Sequence, residues 1–257
     1  MAFPHSVGLS YGQEKVNETT KRYALGTRGE LPDGRVFYYA LAGAAIGAGK
    51  VVTSIAPIAA HDSDLAVSTA AAVGATSIEV TLGATTAGTD EYADGYIFVN
   101  DVDGEGHMYR ISSNPAAAAS TELTLALDTN DTVAEALTTS SQAGLYHNPY
   151  FDVVEISLDA DREVAGVSPT EVADNEYFWA QTFGLANVFQ STGTSGSQPV
   201  VGRGIQAMVS TSDITGAVEH VTTTLNVGWH GAQHIGVAVN VAVATTEYGL
   251  VNLTIRQ

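Results

Sequence analysis

The strongest constraint on the fold is the spacing of apolar residues, which recur at every second position in run after run. Ile78, Val80 and Leu82 follow it, as do Leu123, Leu125 and Leu127, the series Ile235, Val237, Val239, Val241 and Val243, and Val251, Leu253 and Ile255. Alternation places these side chains on one face of a pleated strand and their polar neighbours on the other. Between the runs stand Asp33-Gly34, Asp94-Gly95, Asp103-Gly104 and Ser113-Asn114-Pro115, which supply the positive or fixed φ that tight turns require. The alanine-rich stretches 40–48 and 66–75 are poor helices, because Gly43, Gly47 and Gly74 interrupt them and each glycine costs about 1 kcal/mol relative to alanine. The pattern predicts an all-β chain, with a helical turn or two at most, near 116–119 and 132–137.

Four or five short strands fall between residues 69 and 145, each bounded by turn residues, a density that suits a small barrel or sandwich. Further strand candidates lie on both sides, at 35–40, 49–55, 152–157, 177–182, 205–210 and 225–227, besides the two final runs. The expected organisation is two β-barrel or sandwich-like modules, one inserted in the other. Residues 69–145 form the small inserted module, 35–68 with 146–257 form a discontinuous main domain, and 1–34 form an extended N-terminal arm. One continuous sandwich is the alternative.

Charge narrows the function. The chain of 257 residues carries 28 Asp and Glu against 10 Lys and Arg, a net −18, with no cysteine. So acidic a chain repels nucleic-acid phosphates and lacks the cations whose binding releases counterions, so no nucleic-acid partner is expected. The absence of cysteine removes thiol catalysis and disulfides. No apolar run approaches the roughly 18 residues of a membrane span, and the opening Met-Ala-Phe-Pro-His lacks a basic, then apolar, export signal. Neither a membrane partner nor signal-directed export is expected. Residues 1–50 nevertheless carry Lys15, Lys21, Arg22, Arg28, Arg35 and Lys50 against four acids, a net +2, leaving −20 on the remainder. A basic, turn-rich leader before an acidic body suits docking on an acidic surface.

Motifs for chemistry fail one by one. Gly43-Ala-Ala-Ile-Gly47-Ala-Gly49-Lys50 resembles a phosphate loop, but Ala44 stands where its first glycine belongs and Val51 offers no hydroxyl to a metal. It reads as a glycine-rich turn entering a strand. Asp101-Val-Asp103-Gly-Glu105-Gly106 matches the first half of a calcium loop, but Ser112 stands where the bidentate glutamate belongs, so a hairpin tip is expected. His230 and His234 have the i, i+4 spacing of a zinc helix, yet Gly231 and the following strand pattern argue for turn histidines. There is no Gly-x-Ser-x-Gly nucleophile elbow. Tyr177-Phe-Trp179 with Phe183 and Phe189 reads as a core strand, with a sugar platform as the alternative. No catalytic, metal or cofactor site is assigned.

Three stretches together resemble a family. They are Tyr23-Ala-Leu-Gly-Thr-Arg-Gly-Glu-Leu-Pro-Asp-Gly-Arg-Val-Phe-Tyr-Tyr-Ala40; the region from Val73-Gly-Ala-Thr-Ser-Ile-Glu-Val-Thr-Leu-Gly83 to His107-Met-Tyr-Arg-Ile111; and Tyr177-Phe-Trp-Ala-Gln-Thr-Phe-Gly184 with the closing Glu247-Tyr-Gly-Leu-Val-Asn-Leu-Thr-Ile255. These resemble the head decoration, or cement, proteins of tailed bacteriophages. The resemblance implies a non-enzymatic virion protein on the outer surface of the capsid that binds the major capsid protein and neighbouring copies of itself, commonly as a homotrimer, and stabilises the shell. The alternatives are a tail, baseplate or fibre component and, in a different class, a carbohydrate-binding or carbohydrate-active protein. On the decoration reading, Phe3, Tyr11, Lys15, Lys21, Arg22, Arg28 and Arg35 of the arm contact the capsid, the cations meeting carboxylates and the aromatics adding apolar area.

Overall fold

A computed structural model of the chain describes residues 6–157, 162–191, 198–207, 215–221, 233–242 and 247–257. Among them are seventeen strands, one short 3-10 turn at Gln13–Lys15, and no α-helix. In chain order the strands are β1 (Ser6–Gly8), β2 (Arg28–Glu30), β3 (Val36–Leu41), β4 (Val51–Thr53), β5 (Leu65–Thr69), β6 (Ser77–Thr81), β7 (Tyr96–Asp101), β8 (Met108–Ser113) and β9 (Glu122–Leu127). They continue with β10 (Gln142–Tyr146), β11 (Val154–Glu155), β12 (Val164–Val167), β13 (Tyr177–Gln190), β14 (Gly204–Ala207), β15 (Val218–His220), β16 (His234–Ala238) and β17 (Glu247–Thr254). The chain divides into two compact units, Ala56–Asn148 and the flanking Met1–Ile55 with Pro149–Gln257.

The central unit is a closed barrel of six strands in the order β10-β5-β6-β9-β8-β7, antiparallel throughout. Its interior is filled by the alternating residues of the sequence pattern, Val67, Ile78, Val80, Ile97, Val99, Ile111, Leu123, Leu125 and Leu145, all at most 2% exposed. Each such side chain stabilises the fold by about 1.5–3 kcal/mol through removal from water, and a barrel this small is a packed core rather than a channel. The first stave, β5, lies N-terminal to the expected boundary at residue 69. Leu65 and Val67 point inward while Ala66 and Ser68 do not, but the strand runs into the alanine-rich stretch whose composition blurs its alternation.

The flanking unit is one sheet system with two cores. β1, β2 and β3 continue into the first half of β13, over a core holding Phe37, Tyr39, Phe178, Trp179 and Ala180. The second half of β13 pairs with β17, and the ladder then runs through β16, β14 and β15 back to β13, enclosing Val188, Ile205, Val218, Ile235, Val251 and Leu253. The handover occurs near Phe183, which faces both Val36 of β3 and Thr254 of β17. Gly184 follows at φ +86°, where a Cβ would lie 2.9 Å from the Arg35 side chain. The Gln181 amide donates to the Phe183 and Leu185 carbonyls beside the register shift.

One local device occurs three times and escapes a strand-by-strand reading. Two loops meet through a pair of reciprocal backbone hydrogen bonds, at Ile46 with Val172, Ala71 with Leu137, and Ala87 with Ala117. In five of these six loops the third residue onward is left-handed: Gly49, Gly74, Asp90, Ser120 and Asn175. The apolar residue plugs a core while the left-handed residue reverses the chain into the next strand. Ala71, Leu137 and Ala87 belong to the barrel core, and Ile46 and Val172 to the flanking one. The signal is an apolar residue three before Gly, Asp, Asn or Ser, the types that tolerate positive φ.

Residues 1–34, expected as an extended arm, are from Ser6 onward part of the flanking unit. β1 lies parallel to β2, which pairs with β3, and Leu9, Leu25 and Leu31 are buried in its aromatic core. The turn residues that suggested a free leader instead fold three leucines back onto the sheet. Burying them outweighs the entropy of leaving the segment loose.

Candidate functional site

The cations nominated for partner contact lie on the surface of the flanking unit, and most are already paired. Arg22 Nε is 2.8 Å from Glu18, Arg28 Nη1 is 2.8 Å from Glu30, and Arg35 Nε is 2.9 Å from Asp33. Each acid stands two or four residues from its arginine; Arg28 and Glu30 are same-face neighbours on β2, and the other two pairs close across turns. Exposed pairs of this kind contribute at most about 1 kcal/mol each, but they neutralise the cations locally. Lys15 and Lys21 are exposed, as is Tyr11, and Phe3 falls outside the described residues.

Lys50 has a different role. Its ammonium lies 3.4 Å from the centroid of the Phe189 ring and donates to the Thr215 carbonyl at 2.8 Å. Burial lowers its pKa, opposed by the charge of Glu155. Glu155 also accepts from Gly47 N–H and from the Thr215 hydroxyl. The segment that resembled a phosphate loop is thus a turn into β4, clamped across β13 by its terminal lysine.

Charge separates between the units. Ala56–Asn148 carries thirteen carboxylates and one cation, Arg110, a net −12; the flanking residues hold nine cations against fifteen acids, a net −6. Arg110 is shared by several of those acids: Nη2 is 3.1 Å from Asp94, Nε is 3.9 Å from Asp128, and its backbone N–H donates to Asp131 at 2.6 Å. Asp103 and Glu105 lie on an exposed turn after β7, which ends at Asp101. Asp101 accepts from Val102 N–H and Asp103 from the Thr138 hydroxyl, the arrangement of a hairpin tip.

The barrel unit also holds a buried polar cluster that the sequence reading missed. His61 is fully buried, with Nδ1 2.6 Å from the Tyr92 hydroxyl and Nε2 3.0 Å from the Thr85 carbonyl. A carbonyl can only accept, so Nε2 carries the hydrogen and Nδ1 accepts from Tyr92. Tyr92 stacks on His147 at 4.5 Å, and His147 Nε2 is 3.3 Å from Glu91. Burial raises the Tyr92 pKa well above that of a free phenol, with the Glu91 charge adding to it. The hydroxyl therefore stays protonated, held between two buried imidazoles. The cluster plugs one end of the barrel, as the paired loops do.

The hydrogen bond from His147 holds the Glu91 carboxyl below its usual pKa against the opposing effect of burial, with further help from the Gly88 N–H and the neighbouring imidazoles. A carboxylate depressed in the folded state contributes stability that is complete above its unfolded pKa of about 4.3 and is lost as pH falls through the folded value. Thermal midpoints measured from pH 6 downward should therefore fall below about pH 4.3, and Glu91→Gln should flatten that part of the curve. An unchanged slope in the variant would remove Glu91 from the account.

The other motifs resolve into structure. Trp179 is 5% exposed and packs edge-on to Tyr39 at 5.1 Å, and Phe178 and Phe189 are buried, so most of the aromatic run is core, with Tyr177 and Phe183 half-buried. His230 lies outside the described residues, and His234 begins β16. Among the described residues no cluster of three or more His, Asp or Glu could hold a metal. A shallow hollow lined by Ala45, Ile46, Gly47, Glu171, Val172, Ala173 and Glu176 follows one paired loop; Glu176 there accepts from Ala173 N–H. Comparison with protein-family profiles, curated proteins and solved structures gives no match.

Proposed function

We propose that the chain is a tailed-phage head decoration protein, which binds the major capsid protein on the outer surface of the shell and stabilises it without catalysing a reaction. The observation that supports this reading beyond the sequence resemblance is the division of charge: the barrel unit carries −12 and the flanking unit −6, with Lys15 and Lys21 exposed on the flanking one. A protein that docks through one unit and exposes the other to the medium has this use for such a division. The exposed Lys15 and Lys21 of the flanking unit can meet carboxylates of a capsid surface, while the more acidic barrel unit repels further acidic particles. Binding only the assembled shell stabilises it by linkage, and engaging several subunits at once multiplies the effect.

The test is pelleting of the purified chain with shells of the phage that encodes it, prepared without it. Saturable binding and a raised shell melting temperature are expected. Lys15→Glu with Lys21→Glu, both exposed positions, should weaken binding without unfolding the chain. Failure to bind shells, with retention on purified tails, would replace this reading by that of a tail or baseplate component.

A further inference from the structure

Along β17 from Tyr248 to Thr254, and at the adjoining Leu185, Asn187 and Val237, the outer face of the sheet is uncharged in a chain of net −18. Leu185, Val237, Val239, Tyr248 and Leu250 are 37–52% exposed there, five of the twelve large hydrophobic residues exposed among the described residues. Register sets them in a checkerboard with amides. Leu185 lies across from Asn252, which lies across from Val237; Asn187 lies across from Leu250, whose carbonyl accepts from Val239 N–H. Between Tyr248 and Thr254 the outward residues of β17 carry no charge; Glu247 begins the strand, and the Lys50 ammonium lies over Phe189 beside Tyr248 at that end.

From this we infer that the face is a two-fold interface with a second copy of the same chain. A partner of another composition can offset acidic groups with its own cations, but a copy brings the same excess of acids, so contact between copies is favourable only where both surfaces are neutral. The polar groups on the face fit their own images. Asn187, Asn252 and Thr254 each donate and accept, so a residue can pair with its symmetry mate, as an isologous interface requires. Two sheets can then pack face to face with apolar rows against each other. A ring of three would need two different complementary patches, whereas these apolar side chains form one. The inference stands apart from the decoration reading and can fail without it.

Sedimentation velocity of the full chain from about 1 to 100 μM tests it. The expected species has twice the monomer mass of 26.7 kDa. Leu250→Glu should weaken association at least about tenfold, while Met108→Glu, at an exposed barrel position, should leave it unchanged. Should Leu250→Glu fail to fold, the isosteric Asn252→Asp places facing charges in the same interface, and its weakened association should recover in high salt. A monomer throughout, a trimer, or a dimer indifferent to both substitutions would overturn the inference.

Discussion

Replacing His61 by alanine should destabilise the chain by about 3–5 kcal/mol, the largest single-residue effect we expect in the barrel unit. The loss has two parts. A fully buried ring is removed, leaving a cavity, and the Tyr92 hydroxyl and Thr85 carbonyl lose the partners they hold at 2.6 and 3.0 Å. Each buried polar group left unsatisfied costs about 1–3 kcal/mol, and the cavity adds to that. His61→Gln, which can still donate and accept, should cost less. A double-mutant cycle with Tyr92→Phe should give a coupling of about 1 kcal/mol or more, read from denaturant midpoints. A coupling near zero would show that the short contact contributes no stability.

Arg110→Met should cost about 2 kcal/mol at low ionic strength, and the cost should shrink in high salt. Arg110 is the only cation among thirteen carboxylates of its unit, and its side chain and that of Asp94 are 21% and 14% exposed. Removing it takes one ion-pair partner from the enclosed Asp94 carboxylate and takes the unit from −12 to −13. Repulsion among surface carboxylates is screened over about 10 Å at 0.1 M salt and about 3 Å at 1 M. Denaturant titrations of both proteins across that range should therefore converge. A salt-independent difference would mean that Arg110 acts through packing of its stem alone.

Much of the fold was legible in the alternation of apolar residues, because inward residues of a barrel must recur every second position. Leu123, Leu125 and Leu127 in β9 announce themselves in this way. Two features were not legible, for different reasons. The first 34 residues look like a loose leader since β1 and β2 are each three residues long, too short for any period, and their burial depends on β3, which follows them. The buried cluster is invisible in sequence because His61, Tyr92 and His147 are brought together only by barrel closure. The arginine pairs were written in the local sequence; the inference from cation count to a free basic surface overlooked the acids two and four residues away.

The central proposal is that this chain coats a phage capsid. The measurement that tests it most directly is cryo-electron microscopy of intact phage particles from the source of the chain. Density for the flanking unit should bridge neighbouring capsid subunits on the outer shell, with the acidic barrel unit turned to the medium. Density at the tail or baseplate, or no density for the chain on the particle, would contradict the account.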